Sequence, residues 1–485
     1  MILETLTSYT PTPHALLTPG RRELYVETLD GSQLYKGKRE IENVLEKLKG
    51  HTCYVSSSLP RLRHTTGATQ WSLTTWKGRD IKITHIPTGV KVSSLQSVLE
   101  SVQRPEDTFA ELSECLAWIR QWAIAPGSIS AMSWKLLRAS LPRSVRYGFD
   151  PEISEASFFG GRQEIWQPER YRDMKSLDIK AAYPSAMSAR PIALSLREVD
   201  VSTALDPHES GLARAKVYVP THLAYAPLPV RVSDDAIQFQ YHDFEGTWTW
   251  TELAAAKSLG CDVEVVQCWA PRRTHDLFSS WWEMAQSGRS LSPGAANMAK
   301  AITNVTWGQF AMRNGTRAEI HWTDDKGEEE FEVSKSRVTP SSWGLHIAAE
   351  ITSRVRVQTL LEGLYGAKNS WIVHCDTDGL ILNEKATPIN VGDGFGQWRV
   401  KSHINQVDIR APQFYRYTER ERPDEWQYVA SGQTKRQAIR TFDKYPHLRT
   451  EISFLSRYDV NLPPGSSRDE TGKQRLIREL KELVA

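Results

Sequence analysis

In the segment HCDTDGLIL, His374 to Leu382, two aspartates stand one residue apart directly after the apolar run Trp371, Ile372, Val373. Side chains at i and i+2 of a strand share a face, so Asp376 and Asp378 are expected side by side at a strand end, with Gly379 permitting a tight return. Two carboxylates that close repel unless a cation lies with them, and a divalent metal is the economical answer. A turn with solvated aspartates is the plain alternative; a calcium loop fails because no third ligand follows at the required spacing. In SLDIKAAYPSAM, Asp178 ends an apolar strand, and Tyr183, Pro184 and Ser185 open a helix five residues later. A lone aspartate there is commonly a cap. In KAITNVTWGQF, Lys300, Asn304 and Trp307 fall at i, i+4 and i+7, one helical face. By itself that face reads as a snorkelling lysine beside a core tryptophan.

The surrounding pattern supplies elements able to carry these residues. Residues 1–150 alternate strand-like runs (RELYVET, HTCYVSSS, DIKITHI) with amphipathic helical ones (KREIENVLEKLKG, TFAELSECLAWIRQWA), an α/β arrangement. Proline and glycine from Pro142 to Gly161 mark a boundary. Beyond it, TWTWTELAAAKSLGCDVEVVQCWAP predicts strand end, helix and strand, with Gly260 stopping the helix. Two helices are expected at 275–290 and 295–312, a hairpin follows in RAEIHWTDDKGEEEFEVSKS, and SWGLHIAAEITSRVRVQTLLEGL predicts a helix running into the strand of Asp376.

The 485 residues, 40% hydrophobic, suit a globular chain of several domains, and 60 basic against 58 acidic side chains leave a formal +2. Attraction to nucleic acid must therefore come from local patches. Residues 431–485 hold 11 Lys and Arg against 7 Asp and Glu and end in a helix-like stretch. Five scattered cysteines without a Cys-x-x-Cys pair argue against a disulfide framework or zinc ribbon. No apolar run approaches 18 residues, and the N-terminus lacks signal-peptide order, so a soluble cytoplasmic protein is expected, without a membrane partner.

The three segments, in this order, resemble motifs A, B and C of the family B DNA polymerases: DIKAAYPS, KAITNVTWG and HCDTDG. The resemblance implies an α+β right-hand polymerase, with palm, fingers and thumb, that adds deoxynucleotides to a 3'-hydroxyl using two Mg2+ or Mn2+ ions. It implies Asp178, Asp376 and Asp378 as catalytic residues, with Asp178 and Asp376 bridging the metals, Asp378 tuning the site and the Ile179 carbonyl as a further ligand. Lys300 and Arg289 would contact the triphosphate, Tyr183 would lie under the sugar, and Asn304, Trp307 and Gly308 would line the nascent base pair. SFFGGR resembles the Tyr-x-Gly-Gly linker of the protein-primed branch, and APQFYRY stands where a Lys-x-Tyr motif would be. Phe158, Gly160, Gly161, Arg162, Thr377, Gln413 and Tyr415 are accordingly expected to hold template and primer DNA. Departures are Ala181 and Ala182 in motif A, Val305 and Trp307 in motif B, His374 and Gly379 in motif C, and Gln413 for the lysine.

The N-terminal region resembles the family's 3'-5' exonuclease in degenerate form. Glu27 is kept, Tyr25 replaces an aspartate, serines fill the second motif, and Asp107 is a remnant of the third. An RNase H-like domain without proofreading is expected over 1–160, palm over 161–274, fingers over 275–312, palm again over 313–430 and thumb over 431–485. Partners would be template-primer DNA, deoxynucleoside triphosphates and, by branch, a terminal protein; the chain would be monomeric and phage- or mobile-element-encoded. A polymerase-derived scaffold is the competing class, disfavoured because an inactive scaffold has no need of clustered like charges. A reverse transcriptase would carry adjacent aspartates, which Thr377 separates.

Overall fold

The computed structural model describes residues 14–19, 23–28, 31–36, 38–48, 52–55, 71–77, 80–85, 91–94, 108–122, 124, 129–141, 148–166, 169–233, 236–311, 316–322, 329–335, 344–367, 372–411, 413–430, 439 and 442. The chain divides into two units, one of residues 1–145, 277–343 and 466–485, the other of 146–276 and 344–465.

In the first unit, strands β1 (His14–Pro19), β2 (Glu23–Thr28) and β3 (Gly31–Lys36) are followed by helix α1 (Lys38–Lys47), then β4 (Thr52–Val55), β5 (Trp71–Lys77), β6 (Asp80–His85) and β7 (Lys91–Ser94). Helices α2 (Thr108–Arg120) and α3 (Ile129–Ser140) come next. In the second unit, α4 (Pro151–Ser157), β8 (Gln163–Ile165), β9 (Arg170–Ile179), α5 (Ala182–Ser188), β10 (Ile192–Val199), β11 (Leu212–Val219), β12 (Pro229–Ser233), β13 (Ala236–Phe239), β14 (His242–Thr249), α6 (Trp250–Ser258) and β15 (Asp262–His275) succeed one another. The chain returns to the first unit for α7 (Ser279–Arg289), α8 (Pro293–Asn304), α9 (Thr306–Phe310), β16 (Thr316–Trp322) and β17 (Glu329–Lys335). The second unit is completed by α10 (Leu345–Gln358), which continues as a wider π-helical turn (Thr359–Tyr365), and by β18 (Ile372–Asp376), β19 (Gly379–Asn383), β20 (Trp398–Ala411), β21 (Phe414–Glu419) and β22 (Arg422–Ala430).

The sheet of the first unit runs β17-β16-β5-β6-β7-β4-β1-β2-β3, parallel where β1 meets β4 and β4 meets β7. The hairpin β16–β17 therefore extends the N-terminal sheet, through Ile320↔Leu73 and His321↔Ser72. The sequence-based division had given this hairpin to the palm, because strand pairing across some 250 residues leaves no local trace. The helices α2, α3, α7, α8 and α9 pack together, burying Leu112, Leu116, Trp118, Trp281, Ala295, Ala299 and Phe310. Gly288 permits the close approach: a Cβ there would stand 2.6 Å from the Trp118 ring and 2.8 Å from the Ala299 methyl.

The second unit holds two large antiparallel sheets. One runs β10-β15-β11-β14 and packs its apolar face, with Ala213, Ala215, Val217 and Trp248, against Trp250 and Leu253. Gly260, at φ +91°, ends α6 as its position predicts. The other runs β22-β21-β20-β9-β19-β18-β8. One of its faces buries Met174, Val373, Ile381, Ile404, Val407 and Ile409; against the other lies the π-helical turn, whose Gly363 meets Trp398 and Leu380. All five cysteines are free and buried, as their spacing suggested. The C-terminal segment expected as a thumb lies outside the described residues, apart from Ile439 and Phe442.

Candidate active site

The seven-stranded sheet assembles the acidic residues because β9 lies between β19 and β20: Gly379 pairs with Asp178 on one side and Arg399 pairs with it on the other. Along β9, Leu177 and Ile179 are buried and Asp178 is less so, the alternation of a strand. Next to it, Asp376 pairs with Gly379 and closes a two-residue hairpin turn of Thr377 and Asp378. Thr377 has φ +62°, a conformation that costs a β-branched residue of order 1–2 kcal/mol and that glycine usually supplies. Surrounding contacts hold it there. Its N–H donates to the Arg162 carbonyl at 2.6 Å, its own carbonyl accepts from Thr359 Oγ1 at 2.9 Å, and Gly161, by lacking a Cβ, leaves room for its side chain. Ala181 (φ +55°) before α5 and Gln413 (φ +56°) in the β20–β21 turn are strained in the same sense, a clustering typical of functional sites.

The turn separates the two aspartates that the sequence pairs on one strand face. Asp376 Oδ1 accepts from the Gln413 side-chain amide at 2.5 Å, and Gln413 N–H points at His374 Nε2 at 3.4 Å. Asp378 sits in the turn, its carbonyl accepting from Ile179 N–H at 2.8 Å. Burial, then the charges of Asp178 and Asp376, push the Asp378 carboxyl up to about 6, against the lowering effects of its own backbone amide and of Lys401. Asp178 acts on it more strongly than Asp376 does. The expected pair is Asp178 with Asp376; the register sets Asp178 opposite Gly379, next to Asp378, and the Gln413 amide holds Asp376.

Several residues expected to touch DNA are committed inward instead. Arg162, 1% exposed, gives Nε to Glu164 at 2.5 Å and a second nitrogen to the Ala226 carbonyl, and lies over the Phe239 ring. Gly161 accommodates Thr377, and Gln413 holds Asp376. Tyr415 stacks beside His374 at 4.9 Å, its phenol raised by burial and by Asp376. Gly160 is exposed and open, and Phe158 is half-buried. The backbone of this loop is pinned by two arginines that no local sequence pattern singles out. Arg231 donates to the Phe158 carbonyl, and Arg356 donates to those of Phe159 and Gly160 while paired with Glu252 at 2.8 Å. Arg399, another residue missed, binds both oxygens of Asp178. It lies 221 residues away in the chain, and only sheet register reveals it.

The remaining candidates belong to the first unit, except Tyr183, half-buried in α5. Lys300 and Asn304 are exposed on α8, opposite buried Met298, Ala299 and Ile302. The single helical face expected through Trp307 is interrupted, because α8 ends at Asn304 and Val305 (φ −87°, ψ −3°) starts a new helix, α9. Trp307 and Gly308 are half-buried there. Arg289 closes α7, its guanidinium pulled below its ordinary value by burial. Glu27 falls in β2 without a described side chain, and Asp107 lies outside the described residues.

The donor set of the palm sheet suits a hard dication: the oxygens of Asp178 and Asp378, with a backbone carbonyl such as that of Ile179. Among the described residues no group of three His, Cys, Asp or Glu side chains converges on one metal position.

Residues 129–342 match the family model described as DNA polymerase type B, organellar and viral. This stretch, less than half of the chain, is similar to that family. The matched region includes Asp178, Tyr183 and Lys300 and ends ahead of Asp376. Among solved structures, the chain is similar to phi29 DNA polymerase complexed with primer-template DNA, with a TM-score of 0.63 at 13% identity over 89% of this chain and 94% of that one. It is similar also to the phi29 ternary complex with primer-template DNA and incoming nucleotide substrates, at TM-score 0.64 and 11% identity over 88% and 93%. These likenesses establish the right-hand polymerase fold. No curated protein matches the sequence.

Proposed function

We propose that the chain is a family B DNA polymerase that extends a primer 3'-hydroxyl on a DNA template with deoxynucleoside triphosphates, using two divalent cations at Asp178 and Asp378, without proofreading. The observation that carries the reading is the register that sets Asp178 beside the Thr377–Asp378 turn, with a carboxyl at 378 whose charge is held back by burial and then by its acidic neighbours. Two cations about 3.5–4 Å apart activate the attacking hydroxyl and neutralise the leaving pyrophosphate. The chain's own part is to present oxygens, to hold Asp376 through Gln413 and to supply Lys300 as a point charge for the triphosphate. Tyr183 serves as the floor for the sugar, favouring deoxynucleotides. The phi29 structures were solved with primer-template DNA and nucleotides, which supports the same partners here. Replication of a phage or mobile element, with a terminal protein as primer, remains the branch-based part of this reading. Among the described residues no helix is long and apolar enough to cross a membrane.

The test is extension of a labelled primer with Mg2+ and all four deoxynucleotides, from matched and mismatched 3' ends. Asp178→Asn and Asp378→Asn should each lower the rate by at least about a thousandfold, the scale of losing a metal-held charge at phosphoryl transfer, and Asp376→Asn should cost less. A mismatched end should not be trimmed. Intact DNA binding without extension under Mg2+ or Mn2+, whether or not a protein primer is added, would instead establish the scaffold.

A further inference from the structure

Arg399 opens toward Asp178 from the neighbouring strand, in register with it. The guanidinium meets the carboxylate side-on, Nε donating to Oδ1 at 2.8 Å and Nη2 to Oδ2 at 3.4 Å. The pair is reached by solvent, with 42% of the arginine side chain and 23% of the aspartate exposed. Both oxygens that a dication would need are therefore already hydrogen-bonded to a cation.

We propose that Arg399 is a positioning residue: a tethered counter-cation that holds Asp178 against loading by metal alone and yields it to metal arriving with a nucleotide. This rests on the reading of Asp178 as a metal ligand. The electrostatics favour such coupling. A dication entering by itself must approach a guanidinium at close quarters, and like charges there disfavour each other. A dication accompanied by a triphosphate brings net negative charge, with which the displaced guanidinium can pair. Gln413 cannot provide this compensation, since its amide is neutral and is spent on Asp376.

The experiment is titration of the full chain with Mn2+, followed by electron paramagnetic resonance, first without DNA or nucleotide and then with a non-hydrolysable deoxynucleotide analogue. Arg399→Gln should bind Mn2+ alone about fivefold more tightly than the native chain, the scale of a solvent-reached ion pair, and should gain less from the analogue. Arg399→Lys, which keeps a charge, should stay close to the native chain. Unchanged or weaker Mn2+ binding in Arg399→Gln, or equal tightening in Arg399→Lys, overturns the proposal. An Asp178→Asn arm separates the two readings. Loss of the Mn2+ signal there upholds Asp178 as a ligand whatever Arg399 does, whereas retention overturns the metal assignment itself and this inference with it.

Discussion

Thr377 shows how tightly the chemistry is tied to single atoms. A β-branched residue at positive φ persists because Arg162, Thr359 and Gly161 each fix one of its sides. A Cβ at position 161 would stand 2.4 Å from Thr377 Oγ1 and 2.6 Å from its methyl. Because the obstacle is a side chain already pinned in a turn, relief has to come from movement of the turn that carries Asp378. Gly161→Ala is expected to lower the single-turnover rate of nucleotide addition by roughly a hundredfold, the scale of an ångström's misplacement, with little change in primer-template affinity. A loss of affinity at unchanged rate would show instead that Gly161 acts as a DNA contact.

At the scale of elements, buried charge organises the second unit. Arg356 of α10 and Glu252 of α6 are 3% and 1% exposed and face each other at 2.8 Å. Such a pair adds little net stability over apolar residues, but removing one member strands the other. Arg356→Ala should therefore destabilise the chain in urea unfolding by about 3–5 kcal/mol, and it should release the Phe159–Gly160 loop as well. The double variant Arg356→Met with Glu252→Leu should recover most of that loss. In the first unit, α2 caps α8: Glu111 accepts from Gly294 N–H at 3.0 Å and Glu114 from Ser292 N–H at 3.2 Å. Anions at a helix start satisfy orphan donors and the macrodipole. Replacing both glutamates by glutamine should cost about 1–2 kcal/mol, read as an earlier denaturation midpoint; an unchanged midpoint would remove the capping role.

For the molecule as a whole, buried histidines set an acid limit. Burial pulls His346 down to about 4, and His374 likewise to about 4 despite Asp376. Their folded pKa values lie below the unfolded one near 6.5, so the unfolded chain binds more protons between those limits. Stability is fully present above about pH 6.5 and is lost as pH falls toward 4, by up to about 1.4 kcal/mol per pH unit for each histidine. His346→Leu should flatten that slope in denaturation curves measured from pH 7 to 4.5; a slope left unchanged would show that His346 does not set it. The formal charge of +2 leaves no global attraction to DNA, so affinity depends on local contacts and should fall with salt.

The sequence by itself determined the residues and most of the elements. Asp178, Asp376, Asp378 and Lys300 are legible as candidates because chemistry restricts residue type, and α6 with Gly260 or the hairpin β16–β17 because short-range periodicity and turn residues are local. The tertiary structure decided what those residues face. Sheet register, a relation between residues hundreds apart, set Arg399 on Asp178 and Asp178 beside the turn of Asp378, while the β20–β21 turn brought Gln413 to Asp376. It likewise joined the hairpin to the N-terminal sheet and turned Arg162 inward. Strand periodicity fixes which face a side chain takes, but not its neighbour across the ladder; that partner exists only once the strands have paired.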